Sequence, residues 1–86
     1  DPAAALHVLA PTDGVFYTCP SPGAKPYVAA GDRIETGQVF GLIEVMKTFN
    51  PITYGGAMFP EAARVVEVLA ADGQEVRAGQ PLIALR

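Results

Sequence analysis

Few residues of this chain could perform chemistry unaided. The 86 residues include one cysteine, Cys19, one histidine, His7, and two lysines, Lys25 and Lys47. A cysteine nucleophile needs an adjacent base, and a structural zinc ion needs several Cys or His ligands. A single thiol and a single imidazole satisfy neither requirement, so this inventory argues against a hydrolase and against a zinc module. Cys19, in a proline-rich stretch, is interpreted as an ordinary free thiol.

The composition predicts one small globular domain. Half of the residues are hydrophobic and 17% are charged, which is too apolar for a disordered chain. The net charge is −3 and no basic stripe is present, so no nucleic-acid partner is expected. No apolar run approaches the roughly 20 residues that span a bilayer, and no secretion signal is recognisable, so no membrane association is expected. The lone cysteine favours a reducing compartment, and we expect the cytoplasm.

Glycine and proline interrupt nearly every stretch of ten residues, which predicts many short strands. The one uninterrupted segment of helical length is 61–71, but the β-branched residues within it favour a strand. The chain also repeats itself, because Gly31–Phe40 is matched 42 positions later by Gly73–Leu82. Each copy has two glycines at turn positions around one β-branched residue, Ile34 or Val76, which is expected to be buried. Two similar halves predict an all-β sandwich with pseudo-twofold symmetry.

Two departures from this symmetry are candidates for function. The first half is about eight residues longer, and the extra residues are best placed in segment 18–26, where three prolines stiffen the backbone. Between the halves, Leu42–Val45 and Thr48–Ile52 look like strands that meet at Met46-Lys47. A two-residue hairpin turn normally uses Asn-Gly or Asp-Gly, because both positions need positive φ. Backbone strain at Met-Lys therefore indicates function, with the lysine amine lifted off the end of a rigid sheet.

The residues at this junction resemble a known signature. Glu44-Val45-Met46-Lys47 is similar to the Glu-Ala-Met-Lys sequence of biotinyl carrier domains, in which the lysine carries biotin. The segments 7–11, 14–17 and 20–25 are similar to the biotin carboxyl carrier type of acetyl-CoA carboxylase, in which Pro-Ser-Pro forms a protruding "thumb" near the biotin. The resemblance implies a flattened antiparallel β-sandwich of two four-stranded sheets, a barrel-sandwich hybrid, with the modified lysine on a hairpin at one end.

The resemblance implies a non-catalytic carrier whose chemistry arrives with a cofactor. Biotin would be attached to Lys47 by a biotin protein ligase. The domain would then swing carboxybiotin between the biotin carboxylase and carboxyltransferase sites of an acetyl-CoA carboxylase-like complex. Lys25, in the proline-flanked loop, is not expected to be modified. The residues implied in ligase recognition are Glu44, Val45, Met46 and Thr48, although Val45 replaces the usual Ala and Thr48 a common Met. The thumb residues implied in contacting biotin or restricting its motion are Thr18, Pro20, Ser21, Pro22, Gly23, Ala24 and Lys25.

The resulting domain organisation has one departure from the family pattern. Residues 1–5 are interpreted as the end of a linker or simply the start of the chain, and residues 6–86 as the carrier domain. Within it, the thumb spans about 18–26 and the carrier hairpin about 42–52. The loop at about 54–63 is about five residues longer than the family's usual connection. Its Met58 and Phe59 are expected to pack over the sandwich edge, or alternatively to form a docking patch for a carboxylase subunit.

Two other functions stay open on the sequence alone. A lipoyl carrier of a 2-oxo acid dehydrogenase-type complex would share the fold, but lipoyl domains have Asp-Lys-Ala at the turn and no thumb. An unmodified carrier-like module could regulate or compete for carboxylase subunits. Val45, Thr48 and the longer 54–63 loop are the features that favour this third possibility.

Overall fold

The structure is a computed structural model, and it describes residues 6–86. The interpretation of residues 1–5 as a linker therefore lies outside the described residues. Within 6–86 there are eight strands and no helix, and hence no helix that could cross a membrane. The strands are β1 Leu6–Leu9, β2 Gly14–Tyr17, β3 Arg33–Glu35, β4 Val39–Val45, β5 Thr48–Thr53, β6 Ala62–Val68, β7 Gln74–Val76 and β8 Pro81–Leu85.

The strands form two four-stranded antiparallel sheets. One sheet has the order β1-β8-β6-β3 and the other β5-β4-β2-β7. The all-β sandwich predicted from the sequence is confirmed. Segment 61–71 contains strand β6, as its β-branched residues predict. Its alanines favour a helix, but pairing with β3 and β8 outweighs that preference.

The internal repeat is visible as repeated hydrogen bonds. In the first copy the Gln38 side-chain carbonyl accepts a bond from the Glu35 N–H, and in the second Gln80 accepts one from the Arg77 N–H, both at 3.2 Å. These glutamines close the same tight turn in each half, which explains why the sequence pattern returns after 42 positions. The four turn glycines of the two copies all have positive φ, as the repeat predicts: Gly31, Gly37, Gly73 and Gly79.

The core lies between the sheets and is built from hydrophobic residues, with no buried charged side chain among the described residues. Ile34 and Val76, the β-branched residues between the paired turns, are 0% and 3% exposed, as predicted. The largest fully buried side chains are Tyr54, Phe16, Phe40, Ile34, Leu82, Ile83, Leu85 and Val65. A domain of this size gains a thin margin of stability from its core, so each of these contacts matters.

The two halves of the sandwich differ in the lengths of their connecting loops. The connection from β2 to β3 covers residues 18–32, whereas its counterpart from β6 to β7 covers 69–73. The long loop between β5 and β6 covers residues 54–61 and is closed by Tyr54, whose hydroxyl donates to the Pro60 carbonyl at 2.6 Å. Phe59 stacks edge-on against Tyr54 and packs on the core, whereas Met58 is 85% exposed. Packing over the sandwich therefore holds for Phe59 and is wrong for Met58.

Candidate functional site

The junction between the halves is a two-residue β-hairpin. Strands β4 and β5 pair up to Val45 and Thr48, so only Met46 and Lys47 form the turn. Their φ angles are 51° and 65°, and they are the only non-glycine residues with positive φ in the part of the chain that the structure describes. The pair thus adopts the left-handed geometry that a two-residue hairpin demands. It does so without Asn-Gly, the sequence that normally avoids backbone strain in such a turn.

The sheet holds this turn firmly while leaving its side chains free. Strand β5 is an edge strand, which accommodates Pro51 and its missing N–H, and the Asn50 side-chain amide donates to the Thr48 carbonyl at 3.2 Å. Met46 is 92% exposed, and Lys47 is also exposed. The Lys47 ammonium has no hydrogen-bonding or ion-pair partner within residues 6–86. The hairpin therefore presents an amine on a rigid base and leaves it accessible to another molecule.

Replacing Met46 by Asn is expected to stabilise the domain. Asn tolerates the left-handed region much better than an unbranched apolar residue does, so about 0.5–1 kcal/mol of strain should be relieved. For a domain of this size that corresponds to a rise of a few degrees in Tm, measurable by thermal unfolding. The matched control is Met58→Asn, because Met58 is similarly exposed but has no positive φ. Equal shifts in the two variants would contradict the strain assigned to Met46.

The thumb segment 18–26 is an ordered protrusion between β2 and β3. Its base is closed by the Tyr27 N–H, which donates to the Thr18 carbonyl at 2.9 Å. Its tip is a β-turn in which the Ala24 N–H donates to the Ser21 carbonyl at 3.1 Å. Pro22 and Gly23 occupy the two central positions, and Gly23 has a φ of 79°, the pattern of a type II turn. Proline and glycine thus give the thumb a defined shape from local preference alone.

The carboxylate of Asp72, from the other half of the chain, fixes the base of the thumb. Asp72, in the turn between β6 and β7, accepts hydrogen bonds from the Thr18 N–H at 2.8 Å and the Thr18 hydroxyl at 3.3 Å. Because Asp72 follows a central strand of the sandwich, this bond ties the thumb to the rigid body of the domain. Thr18 therefore serves as the anchor of the thumb.

A groove lies between the thumb and the outer face of the sheet that ends in the hairpin. Its volume is about 540 Å³. Three of the thumb residues singled out from the sequence line it, Pro20, Ser21 and Pro22, whereas Gly23, Ala24 and Lys25 do not. The remaining lining residues are Tyr17, Cys19, Leu42, Phe49 and Asp72. The walls are mainly apolar, and Phe49 is 56% exposed there.

One hydrogen bond links the groove to the hairpin. The Tyr17 hydroxyl donates to Glu44 Oε1 at 2.8 Å, and the Tyr17 ring packs against Phe49 with centroids 5.6 Å apart. Bonding to the Glu44 carboxylate raises the pKa of Tyr17 above its usual value of 10, because a tyrosinate could not donate and would face a like charge. Any stability gained from this bond is present below pH 10 and is lost as the pH rises through the elevated pKa.

Within residues 6–86, no three His, Cys, Asp or Glu side chains lie close enough together to hold a metal ion. The site instead combines an accessible amine, a shaped thumb and an apolar groove. A family model described as "Biotin-requiring enzyme" matches residues 6–85.

The chain belongs to this biotin-requiring family.

Curated relatives agree with the family assignment. The "Biotin carboxyl carrier protein of acetyl-CoA carboxylase" of Nostoc sp. is 37% identical over 79 residues, covering 92% of this chain and 41% of the relative. The "Biotin carboxyl carrier protein of acetyl-CoA carboxylase 1, chloroplastic" of Arabidopsis thaliana is 34% identical over 79 residues, covering 92% of this chain and 26% of the relative. The Chlamydia trachomatis protein is 31% identical over 84 residues, covering 98% and 48%. The chain thus spans between about a quarter and a half of the length of these relatives.

Membership of the family adds a cofactor to the groups that the described residues supply. Covalently held biotin is the cofactor that the family implies, and the curated relatives are named as biotin carboxyl carrier proteins. Sequence reasoning found the hairpin and the thumb but did not single out Tyr17, Phe49 or Asp72 as site residues. Tyr17 lies directly before the thumb, and Phe49 follows Lys47 by two positions, so proximity in sequence could have drawn attention to both. Asp72 is distant in sequence from both the thumb and Lys47, so proximity could not have drawn attention to it.

Proposed function

We propose that Lys47 carries biotin, and that the domain moves a carboxyl group between the biotin carboxylase and carboxyltransferase sites of an acetyl-CoA carboxylase-like complex. The observation that carries this proposal is the Met46-Lys47 turn, in which both residues have positive φ and the amine is exposed without a partner among the described residues. A strained turn of this kind costs stability, so its presence is best explained by a need to present the lysine.

Attachment of biotin to Lys47 is a condensation. The ligase would first join the carboxyl group of biotin to a nucleotide phosphate as a mixed anhydride. The Lys47 ε-amine would then attack the carboxyl carbon, forming the amide C–N bond and breaking the C–O bond to the phosphate, with release of the nucleotide and a proton. The lysine charge is lost, and a long neutral arm takes its place. When bound, biotin would supply the chemistry by carrying the carboxyl group. The chain would supply proximity, because tethering turns the search for each active site into an intramolecular one at high effective concentration.

The thumb and groove are proposed to receive the ring of the attached biotin. Small-molecule sites are concave, mostly apolar and of a few hundred Å³, and the groove beside the hairpin has about 540 Å³. Pro20, Ser21 and Pro22 form one wall, and the sheet forms the other. Contact of this kind would restrict the motion of the arm between transfers. Gly23, Ala24 and Lys25 would act through the shape of the turn, because they do not line the groove.

The ligase would recognise Lys47 together with the residues that surround it on the turn and its two strands, which are Glu44, Val45, Met46 and Thr48. The partners are a biotin protein ligase, biotin carboxylase and carboxyltransferase. The free thiol Cys19 agrees with a reducing compartment such as the cytoplasm.

The test is the intact mass of the domain after co-expression with a biotin protein ligase and excess biotin. We expect a gain of one biotinyl group per chain. A parallel co-expression with a lipoyl ligase and lipoate is expected to give no gain. A lipoyl gain in place of a biotinyl one would favour the lipoyl carrier. No gain with ligases that label authentic acceptors would reject both carriers and leave the unmodified module.

A further inference from the structure

The carboxylate of Glu44 is held in place by a residue distant in sequence. Glu44 is half-buried on β4, and its Oε1 atom accepts the 2.8 Å hydrogen bond from the Tyr17 hydroxyl. Tyr17 belongs to the neighbouring strand β2, where it pairs with Leu42. Leu42 and Glu44 project from the same face of β4, since alternate residues of a strand share a face. The tyrosine thus reaches along that face towards the hairpin and fixes the carboxylate beside it.

We propose that Tyr17 is a positioning residue for the acylation of Lys47, acting by holding Glu44 in one orientation for the enzyme that modifies the lysine. This inference rests on the proposed function, because it assumes that Lys47 is acylated. Tyr17 does not touch the reacting atoms. Its contribution is to the affinity between the domain and the modifying enzyme, exerted through Glu44.

The charge pattern of the hairpin makes Glu44 the charged residue that such an enzyme can contact. Within segment 42–52, Glu44 and Lys47 are the only charged residues. The amine must enter the active site, so Glu44 is the one charged group of the hairpin that can remain outside it and make a stable contact. Oε1 is bonded to Tyr17, while Oε2 has no donor among the described residues. Oε2 is therefore available to a cationic or N–H group of the enzyme.

Tyr17 contributes by ordering the Glu44 side chain before the enzyme binds. A free glutamate on a surface occupies several rotamers, and holding it in one of them costs binding free energy at the moment of association. Tyr17 makes that ordering part of the folded state. Its own ring is fixed in turn, because it packs against Phe49 at 5.6 Å with an interplanar angle of 51°. Phe49 pairs directly with Glu44 across the hairpin, so the aromatic residues come from the strands on either side of β4.

The test is steady-state biotinylation of the unmodified domain by a biotin protein ligase. Tyr17→Phe keeps the ring and removes the hydroxyl, and we expect the KM for the domain to rise about fivefold while kcat is retained. Tyr54→Phe is the matched control, because its hydroxyl donates to Pro60 in the loop between β5 and β6. That variant loses a comparable hydrogen bond and some stability, but its KM should not change. Thermal unfolding of both variants verifies that the protein is folded at the assay temperature.

A double-mutant cycle decides whether Tyr17 acts through Glu44. In the Glu44→Ala background, where KM is already raised, Tyr17→Phe should cause no further change. An unchanged KM for Tyr17→Phe alone, or an equal shift in both backgrounds, would overturn the positioning role. If the wild-type domain gains no biotin at all, the proposed function fails first, and the two failures are thereby distinguished.

A measurement without the ligase tests the hydrogen bond itself. NMR titration of the tyrosine ring carbons should show the pKa of Tyr17 falling towards its usual value in Glu44→Gln, because the anionic acceptor is gone. The pKa of Tyr54, which is raised by burial, should stay where it is. A Tyr17 titration that Glu44→Gln leaves unchanged would contradict the contact on which the inference depends.

Discussion

Lys47→Arg is expected to abolish biotin incorporation, whereas Lys25→Arg should leave it complete. Arginine preserves the positive charge and most of the length of lysine, so the hairpin should fold as before. Its guanidinium stays protonated and delocalised at any accessible pH, and it cannot act as the amine nucleophile. The measurement is the intact mass of each variant after exposure to a biotin protein ligase and excess biotin.

The second lysine makes this comparison unusually direct. Lys25 and Lys47 are the only lysines of the chain, and both are exposed. If exposure alone decided acylation, each single variant would retain one biotinyl group and the wild type would gain two. Only the hairpin lysine sits in a turn fixed by two paired strands, while Lys25 lies at the edge of a loop between Ala24 and Pro26. Biotin on Lys47→Arg, or its loss from Lys25→Arg, would place the acceptor in the thumb and reject the role of the hairpin.

The hairpin and the thumb could be predicted because both are encoded locally. Positive φ at Met46 and Lys47 follows from the shortness of the gap between two apolar strands. The shape of the thumb tip follows from Pro22 and Gly23 at neighbouring turn positions. The repeat of Gly31–Phe40 similarly predicts the symmetry of the sandwich, since a returning pattern of turn glycines must return the same turns.

The contacts that shape the groove could not be predicted because they depend on non-local placement. Thr18 meets Asp72 only after the two halves of the sandwich have come together, and no pattern around Asp72 marks it as an anchor. The bond from Tyr17 to Glu44 depends on the register between β2 and β4, which a shift of one residue would destroy. Met58 and Phe59 are adjacent apolar residues, yet only Phe59 finds a partner, the ring of Tyr54, in the loop that they share.

Gly41 illustrates how the core constrains the strand that leads to the hairpin. It lies on β4 where the pairing with β5 shifts register, and its φ is outside the positive range that would require glycine. The requirement is one of space. A Cβ at this position would lie 2.5 Å and 2.9 Å from atoms of the Phe16 ring and 3.1 Å from the Tyr17 carbonyl oxygen. Phe16 is fully buried, so its ring cannot simply swing into solvent.

Gly41→Ala is therefore expected to destabilise the domain by about 3 kcal/mol, the upper part of the range for overpacked cores. The measurement is the free energy of unfolding from denaturant titration, and for a domain of this size the change corresponds to a fall in Tm of more than about 10 °C. Gly23→Ala in the thumb is the control for backbone strain alone. Gly23 has a φ of 79° with open space around it, so its replacement should cost only about 1–2 kcal/mol.

Phe16→Leu distinguishes a clash with the ring from a clash with the backbone. On its own this substitution should destabilise the domain by leaving a cavity. Combined with Gly41→Ala it should cost less than the sum of the two single changes, because the leucine vacates the space that the new methyl group needs. If the two losses of stability simply add, the clash that excludes a side chain at Gly41 is with the Tyr17 carbonyl and not with the Phe16 ring. In that case the methyl group would push β2 away from β4, and the hydrogen bond between Tyr17 and Glu44 would be lost together with the stability.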